Sequence, residues 1–240
     1  MDDTNLFAND LGKIDVLTLN NMRAKLNWAV LPILRGPLRG FRWLVATRSS
    51  FLFGTYEPTQ TQLFQELVKP GDVVYDIGAH FGYYTLLSSR LVGEKGKVLA
   101  FEPSPANLAR LYRHIDLNDR KNVQVLELAV SDHEGIAHFE TRTGSGVGHL
   151  AEDGPLEVKL TTLDSVSQFP LPQVMKIDVE GAEVGVLNGA KALFAKCKPV
   201  IFLSLHGDEL KKTCMDLLNG YGYTFRQIEP MEIVALPPKK

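Results

Sequence analysis

The residues best suited to chemistry stand where apolar runs stop. Val174 to Glu180 reads VMKIDVE, so Lys176, Asp178 and Glu180 close an otherwise apolar run. Unpaired buried charge is costly, so these three either satisfy one another or surround reacting groups. A second apolar run, Val200 to Leu205, ends in His206. An imidazole titrates near neutral pH and can take a proton from a hydroxyl, which makes His206 the first candidate base and Asp178 the second. Lys176 and Glu180 then orient the molecule acted upon.

A place for a ligand is written farther upstream, in Lys69 to Gly82, KPGDVVYDIGAHFG. Turn residues lead into a short apolar strand, and a glycine-bearing turn follows that opens a helix near Tyr83. Gly78 and Ala79 let the loop backbone approach a ligand, and Gly82 lets the helix start pack on the strand. Asp76 sets a carboxylate at the strand's end, which suits a cationic or amino-bearing ligand better than a pyrophosphate. A dinucleotide loop would read GxGxxG, whereas Ala79 and His80 follow Gly78 here. The next run, Gly96 to Phe101, ends in Glu102-Pro103, where a doubly wound fold places the acid that grips ribose hydroxyls. Glu102 has a second reading, as an acid at the N-terminus of the helix from Pro105. Asn107, in that helix's first turn, either holds the ribose edge or faces water. Thr85 is a weaker candidate of the same kind.

Elements must position these groups. Strands are expected over Val73–Tyr75, Gly96–Phe101, Val123–Val130, Val174–Glu180 and Pro199–Gly207. Helices are expected over Thr59–Val68, Tyr83–Leu91, Pro105–Asp116, Gly181–Leu193 and Asp208–Leu218, with another beginning at Thr162. Strands alternating with helices make a doubly wound, mostly parallel α/β sheet, with ligands at the C-terminal ends of its strands. Gly135 to Leu163 reads as an insertion of short strands around a glycine-rich loop, Thr143 to His149, and His149 is better taken as part of that loop than as a ligand. Tyr221 to Val234 supplies closing strands.

Composition sets bounds on this reading. The chain has 240 residues, 45% of them hydrophobic, enough for one full core, with a net charge of −2. That balance offers no footprint for nucleic acid. Cys197 and Cys214 lack metal-site spacing, and two cysteines are no disulfide framework, so a reducing compartment is expected. No run reaches membrane-spanning length, and the acidic start is unlike a secretory signal, so the expected localisation is cytoplasmic. Residues 1–53 form an extension or lid ahead of a domain over 54–240. Within it, Val16 to Val30 has irregular helical periodicity, and Leu38 to Phe53 interleaves Arg39, Arg42 and Arg48 with Phe41, Trp43, Phe51 and Phe53. That mixture fits either a lid packed on the domain or a surface that meets a membrane or an anionic acceptor.

From Gly54 to Tyr223 the chain resembles the FkbM-type S-adenosylmethionine-dependent methyltransferases. The resemblance is carried by VVYDIGAHFGYYTLL, GKVLAFEPSPANLARL, LELAVSDHEG and above all MKIDVEGAEVGVLNGA, in the family's order. It implies a Rossmann-like class I methyltransferase fold and S-adenosylmethionine as cofactor. The acceptor it implies is a hydroxyl on a sugar, glycolipid or polyketide-like molecule. It places the backbone at Ala129 and the side chains of Ser131 and Asp132 beside the adenine, although a plain turn explains the last two equally well. Gly54 to Pro58 resembles a family element just ahead of the cofactor domain, with Tyr56 and Glu57 as candidates for the cofactor or acceptor pocket. A divalent ion assists some related sugar methyltransferases. Asp178 is a conceivable ligand, but the sequence offers no matching carboxylate pair, and no metal is expected. One position departs from the pattern: Ser204 stands where the family commonly has an acid, which takes a partner from His206 or from Lys176. Two further readings stand beside this one, an adenosylmethionine-binding protein without catalysis and an NAD-type oxidoreductase.

Overall fold

The computed structural model of the chain describes residues 28–45, 47, 49–140, 149–150 and 154–238. The expectations for residues 16–27, for Arg48, for the loop from Thr143 to Gly148 and for the side chain of His149 lie outside them. The described chain begins with a hairpin, β1 (Val30–Pro32) and β2 (Arg42–Leu44), followed by α1 (Ser49–Phe53) and α2 (Pro58–Leu67). Next come β3 (Val73–Ile77), α3 (Tyr83–Val92), β4 (Lys97–Phe101), α4 (Pro105–Leu117) and β5 (Val123–Leu126). β6 (Ala129–Val130), β7 (Gly135–Glu140), β8 (His149–Leu150) and β9 (Leu156–Thr161) form the inserted sheet. The chain closes with β10 (Val174–Ile177), α5 (Glu183–Asn188), α6 (Lys191–Lys196), β11 (Val200–Ser204), α7 (Asp208–Gly220), β12 (Thr224–Glu229) and β13 (Glu232–Leu236).

The central sheet has seven strands in the order β12-β13-β11-β10-β3-β4-β5. β5, β4, β3, β10 and β11 pair in parallel, and β13 is antiparallel to both of its neighbours. Strand order reverses between β3 and β10, since β3 leads outward to β4 while β10 leads the other way to β11. Such a reversal opens a crevice beyond the C-terminal strand ends. Both faces of the sheet are covered, so the strands are apolar on both sides. Tyr75, Leu99, Met175, Ile201 and Leu203 enter the core shared with α5, α6 and α7. Val74, Val98, Val174 and Phe202 enter the opposite core, with Phe64, Leu86 and Leu87. Because side chains alternate along a strand, Asp76, Lys176 and Ser204 share the parity of this second set and face the same side.

Three expected elements come out differently, each for a traceable reason. The run Val123–Val130 breaks after Leu126, where the Leu126 carbonyl accepts from the Leu128 and Glu102 amides, and β6 leaves to pair with β9 instead. The expected helix at Thr162 is a turn. Its Asp164 accepts from the Ala192 and Leu193 amides through both carboxylate oxygens, while the Asp164 amide donates to the Gly189 carbonyl. That capping starts α6 afresh and splits the helix expected over Gly181–Leu193 into α5 and α6. Gly189 is required there, because a Cβ would lie 2.0 Å from the Ser131 carbonyl oxygen.

The hairpin shares the domain's core. Ile33, Leu38, Trp43 and Phe51 are buried in the same cluster as Val74 and Val98. His114 of α4 fastens it. The His114 Nε2 accepts from the Leu44 amide at 3.1 Å, Nδ1 donates to the Phe81 carbonyl at 2.7 Å, and Trp43 stacks on the ring at 3.7 Å. Both nitrogens serve only in the neutral tautomer. Burial, aided by nearby Arg110 and opposed by the Phe81 bond, pulls its pKa down to about 4. The folded chain therefore binds fewer protons than the unfolded chain between that value and the ordinary histidine pKa, and stability falls as pH drops through this window. His114→Leu should lower stability at pH 7 by about 1–3 kcal/mol, since it strands the Leu44 amide and the Phe81 carbonyl. Its denaturant midpoint should also fall less than the parent's between pH 7 and pH 5. Equal falls would remove His114 as the titrating fastener.

Candidate functional site

The glycine loop after β3 and the charged loop after β10 flank the strand-order reversal, and they touch. Gly78 has φ +83°, and a Cβ on it would lie 1.8 Å from the Asp178 carbonyl oxygen. The Asp178 amide donates to the Ile77 carbonyl at 2.9 Å, so the two loops are laced together. Gly82 has φ +92°, with the Leu111 side chain 2.5 Å from where its Cβ would be. It lets α3 start tight against α4. The Gly78 and Ala79 amides both donate to the Phe101 carbonyl. The His80 amide, at a left-handed φ of 52°, donates to Glu102 Oε2 at 2.7 Å.

Glu102 is 3% exposed and organises its surroundings. Its Oε1 accepts from the Ser104 amide at 2.9 Å and from Asn107 Nδ2 at 3.1 Å. Burial raises its pKa, and the bonds from Ser104, Asn107 and His80 oppose the rise. These are the hydrogen bonds of an acid at the start of α4, the second of its two readings. Glu102 ties the glycine loop to the start of α4, Asn107 serves it, and one acceptor lone pair on Oε2 remains for a ligand. Pro103 between them is half-buried. Asp76, 2% exposed, accepts from Thr85 Oγ1 at 2.5 Å. Burial raises its pKa to about 6, against the pull of Thr85 and Lys176. It staples β3 to α3. Ala129 and Ser131 are buried at the end of β6, and the Ser131 hydroxyl donates to Asp132 Oδ1 at 3.2 Å. The exposed Asp132 also bonds His133, which lowers its pKa.

Asp178, Glu180 and His206 converge on the other side of the Gly78 contact. His206 Nδ1 donates to Glu183 Oε1 at 2.7 Å. His206 Nε2 lies 3.1 Å from Glu180 Oε2 and 3.8 Å from Asp178 Oδ1. Glu183 is fully buried, and its other oxygen has no hydrogen-bond partner among the described residues. Glu180 sits at a left-handed φ of 51°, a conformation that turns its side chain back toward His206 at a cost of order 1 kcal/mol. The Glu183 hydrogen bond first, then the charges of Glu180, Glu183 and Asp178, raise the His206 pKa against burial. Asp178, Glu180 and His206 each offer one donor atom, all within 4.8 Å of one another, a set able to hold a cation. The sequence reading that Asp178 lacks a second carboxylate beside it is corrected by Glu180. A protonated His206 ring supplies the same positive charge between the two acids.

Lys176, 1% exposed, lies beneath this group. Its Nζ donates to Ser204 Oγ at 2.6 Å, lies 3.3 Å from Asp178 Oδ2, and sits 5.3 Å over the Tyr84 ring. Burial pulls its pKa down, but Asp178, Glu232, Glu57 and Asp76 outweigh burial and leave it raised. Ser204 Oγ then donates to Glu232 Oε2 at 2.8 Å. Burial raises the Glu232 pKa to about 7, although Lys176 and Ser204 oppose it. Glu57 completes the ring by accepting from the Tyr84 hydroxyl and from Gln60. Neither Lys176 nor His206 is left unpaired by the serine. Sequence reasoning did not single out Glu183 or Glu232 for this group. The signal for Glu232 is the antiparallel pairing Ser204↔Glu232, a register that no local pattern encodes.

A family model described as the Methyltransferase FkbM domain matches residues 76–225. The hexuronic acid methyltransferase AglP of Haloferax volcanii is 30% identical over 133 residues, which are 53% of this chain and 54% of that protein. The chain thus spans about half the length of that relative. The 31-O-demethyl-FK506 methyltransferase FkbM of Streptomyces tacrolimicus is 28% identical over 195 residues, covering 65% of this chain and 74% of that one. Among solved structures, methyltransferase FkbM from Methylobacillus flagellatus KT superposes with a TM-score of 0.52 at 18% identity, over 78% of this chain and 52% of that one. Precorrin-6y C5,15-methyltransferase from Geobacter metallireducens GS-15 gives 0.54 at 15%, over 80% and 94%. At these identities the structural likeness shows the fold, the α/β class I methyltransferase sheet.

The Lys176–Ser204–Glu232 chain yields a stability test. Ser204→Ala should cost about 1–3 kcal/mol, because it removes an acceptor from a buried ammonium and a donor from Glu232. Glu232→Gln combined with Ser204→Asp, which moves the carboxylate onto β11, should regain most of what Glu232→Gln alone loses. Denaturant midpoints that show no such regain would mean Glu232 acts apart from Lys176.

Proposed function

The chain belongs to the FkbM methyltransferase family, and on that premise we propose that it is an S-adenosylmethionine-dependent O-methyltransferase acting on a hydroxyl of a sugar, glycolipid or polyketide-like molecule. The observation that carries the reading is the Gly78–Asp178 contact, which sets a ligand loop against a group containing a base. The names of the relatives, one a hexuronic acid methyltransferase and one acting on a 31-O-demethyl compound, support an oxygen acceptor in molecules of that kind.

The residues present fit this cofactor better than a dinucleotide. Pyrophosphate is held by free amides at a loop and helix start. Here the Gly78 and Ala79 amides are spent on Phe101 and the His80 amide on Glu102. Asp76 adds a carboxylate beneath the same loop. Glu102 retains a lone pair for a ribose hydroxyl, and the end of β6 offers Ala129, Ser131 and Asp132 for an adenine edge.

Adenosylmethionine supplies a methyl group on a sulfonium, and the electron pair of the broken bond stays on sulfur. The chain's own residues place the acceptor oxygen in line with that methyl, and such placement contributes about 7–11 kcal/mol. Lys176 holds Asp178, and Glu183 holds the His206 ring with Nε2 facing the acceptor side. In its neutral form Nε2 takes the acceptor's hydroxyl proton as the new carbon–oxygen bond forms. Asp178 and Glu180 then stabilise the imidazolium. Asp178 is the alternative base.

Two measurements test this reading. Calorimetric titration should show S-adenosylhomocysteine binding and no NAD binding. Glu102→Ala should weaken the former about 10–100-fold, in keeping with about 1.5–3 kcal/mol for a hydrogen bond to a charged group. NAD binding alone would overturn the cofactor assignment. His206→Asn should leave that affinity intact and lower turnover about 10²–10⁴-fold. Because the ring's pKa is raised, parent turnover should climb with pH through a midpoint above the ordinary histidine value, and a variant with unchanged rate and profile would pass the proton to Asp178.

A further inference from the structure

From Val16 to Tyr56 the chain carries six lysines and arginines and no aspartate or glutamate, although its net charge is −2. Within the described part of this segment, four large apolar side chains face outward: Trp28, Leu31, Leu34 and Phe53, exposed by 52%, 52%, 53% and 54%. The other exposed large apolar side chains among the described residues, Tyr112, Ile136 and Leu171, are scattered along the rest of the chain. The four are held on a fixed base. Ile33, Leu38, Trp43 and Phe51 of the same segment are buried. The Leu34 amide donates to the Leu52 carbonyl, and the Val45 amide to the Ala29 carbonyl. β1 and α1 are therefore joined side by side, with Leu34 and Phe53 next to that junction.

Arg35, Arg39 and Arg42 are exposed on the same segment, and among the described residues no carboxylate pairs with them. Arg90 and Arg120 add charge beside it, each about as far over the Phe41 ring, at 5.5 and 5.0 Å. Grouped apolar side chains on a folded surface mark a contact site. Exposed apolar side chains and arginines on one segment that holds no acid match the interface of an anionic bilayer, where burial of the apolar groups and attraction to the headgroups act together.

We propose that Trp28, Leu31, Leu34 and Phe53, with Arg35, Arg39 and Arg42, form a docking surface for an anionic phospholipid bilayer. The segment runs directly into the site. Phe51 packs on Tyr56 and Tyr83 at 4.5 and 5.4 Å, and Glu57 bonds the Tyr84 that covers Lys176. Resting on the methyltransferase reading, docking at this place would present the site to an acceptor whose hydroxyl-bearing head projects from a lipid. The docking itself is independent of that reading.

The test is co-sedimentation of the full chain with vesicles of phosphatidylcholine, with and without phosphatidylglycerol. The expected result is binding to the anionic vesicles only, weakening as salt rises. Leu34→Ser with Phe53→Ser, and separately Arg35→Glu with Arg39→Glu, should each reduce it about tenfold or more, with S-adenosylhomocysteine affinity unchanged. Absent binding, or binding untouched by both variant pairs, overturns the proposal. So does a parent dimer that the Leu34 and Phe53 variant turns into a monomer without any vesicle binding, since the face would then belong to a second copy. Vesicle binding without S-adenosylhomocysteine binding would leave the surface standing and remove the cofactor assignment instead.

Discussion

The contact between the Gly78 α-carbon and the Asp178 carbonyl is the constraint on which the site depends. With a Cβ there at 1.8 Å from that oxygen, no side chain fits, and the loops after β3 and β10 close on each other as one body. The strands beneath them are in register, Asp76 against Lys176 and Ile77 against Ile177. Under the proposed function, a ligand on the glycine loop is therefore held at a fixed distance from Asp178, Glu180 and His206. Fixing that distance is most of what a group-transfer site must do when its cofactor already carries an activated group. The strand-order reversal explains why this happens here, since only between β3 and β10 do two loops diverge enough to leave a crevice and still meet at their roots.

Below the loops the same face of the sheet holds a buried ammonium among several carboxylates. Asp76, Asp178, Glu57 and Glu232 all act on Lys176. They do not share its charge equally. Asp76 and Glu232 are buried enough that their pKa values rise to about 6 and about 7, whereas Asp178 is 29% exposed and lies 3.3 Å from Nζ. The ammonium stays charged because removing any one acid leaves others. Its bond to Asp178 Oδ2 turns the remaining oxygen, Oδ1, toward His206. Lys176 thus acts through Asp178, from a place that solvent does not reach.

What could be read from the sequence follows from how far apart the cause lies. Lys176, Asp178 and Glu180 were legible because an apolar strand cannot end in three charges without a use for them, and Gly78 because a turn between strand and helix needs its backbone. The sheet was legible from alternating strand and helix patterns. The break after Leu126, the split at Gly189 and the turn at Asp164 were not. Each is imposed by a partner far along the chain: β9, the Ser131 carbonyl and the α6 amides. Glu102 was read as either a ribose ligand or a helix-cap acid, and its hydrogen bonds make it a fastener of both the loop and α4. The Arg-and-aromatic mixture of the extension was visible as composition, but its division into a buried face fastened by His114 and an outward face required the fold.

Ser204 shows the same rule working in the other direction. By family pattern an acid belongs at this place, and its loss reads as damage when the sequence is followed along β11 alone. Across the sheet, β13 runs antiparallel and sets Glu232 opposite Ser204. The hydroxyl accepts from Lys176 and donates to Glu232, so a carboxylate still answers the ammonium, one side chain farther away. A buried charge needs compensation within its low-dielectric surroundings, and that need is satisfied by position in space, whatever strand supplies it. The departure from the pattern therefore gives no ground for reading the site as one that has lost its chemistry. The group that orients Asp178 is intact, with one member relocated to a neighbouring strand.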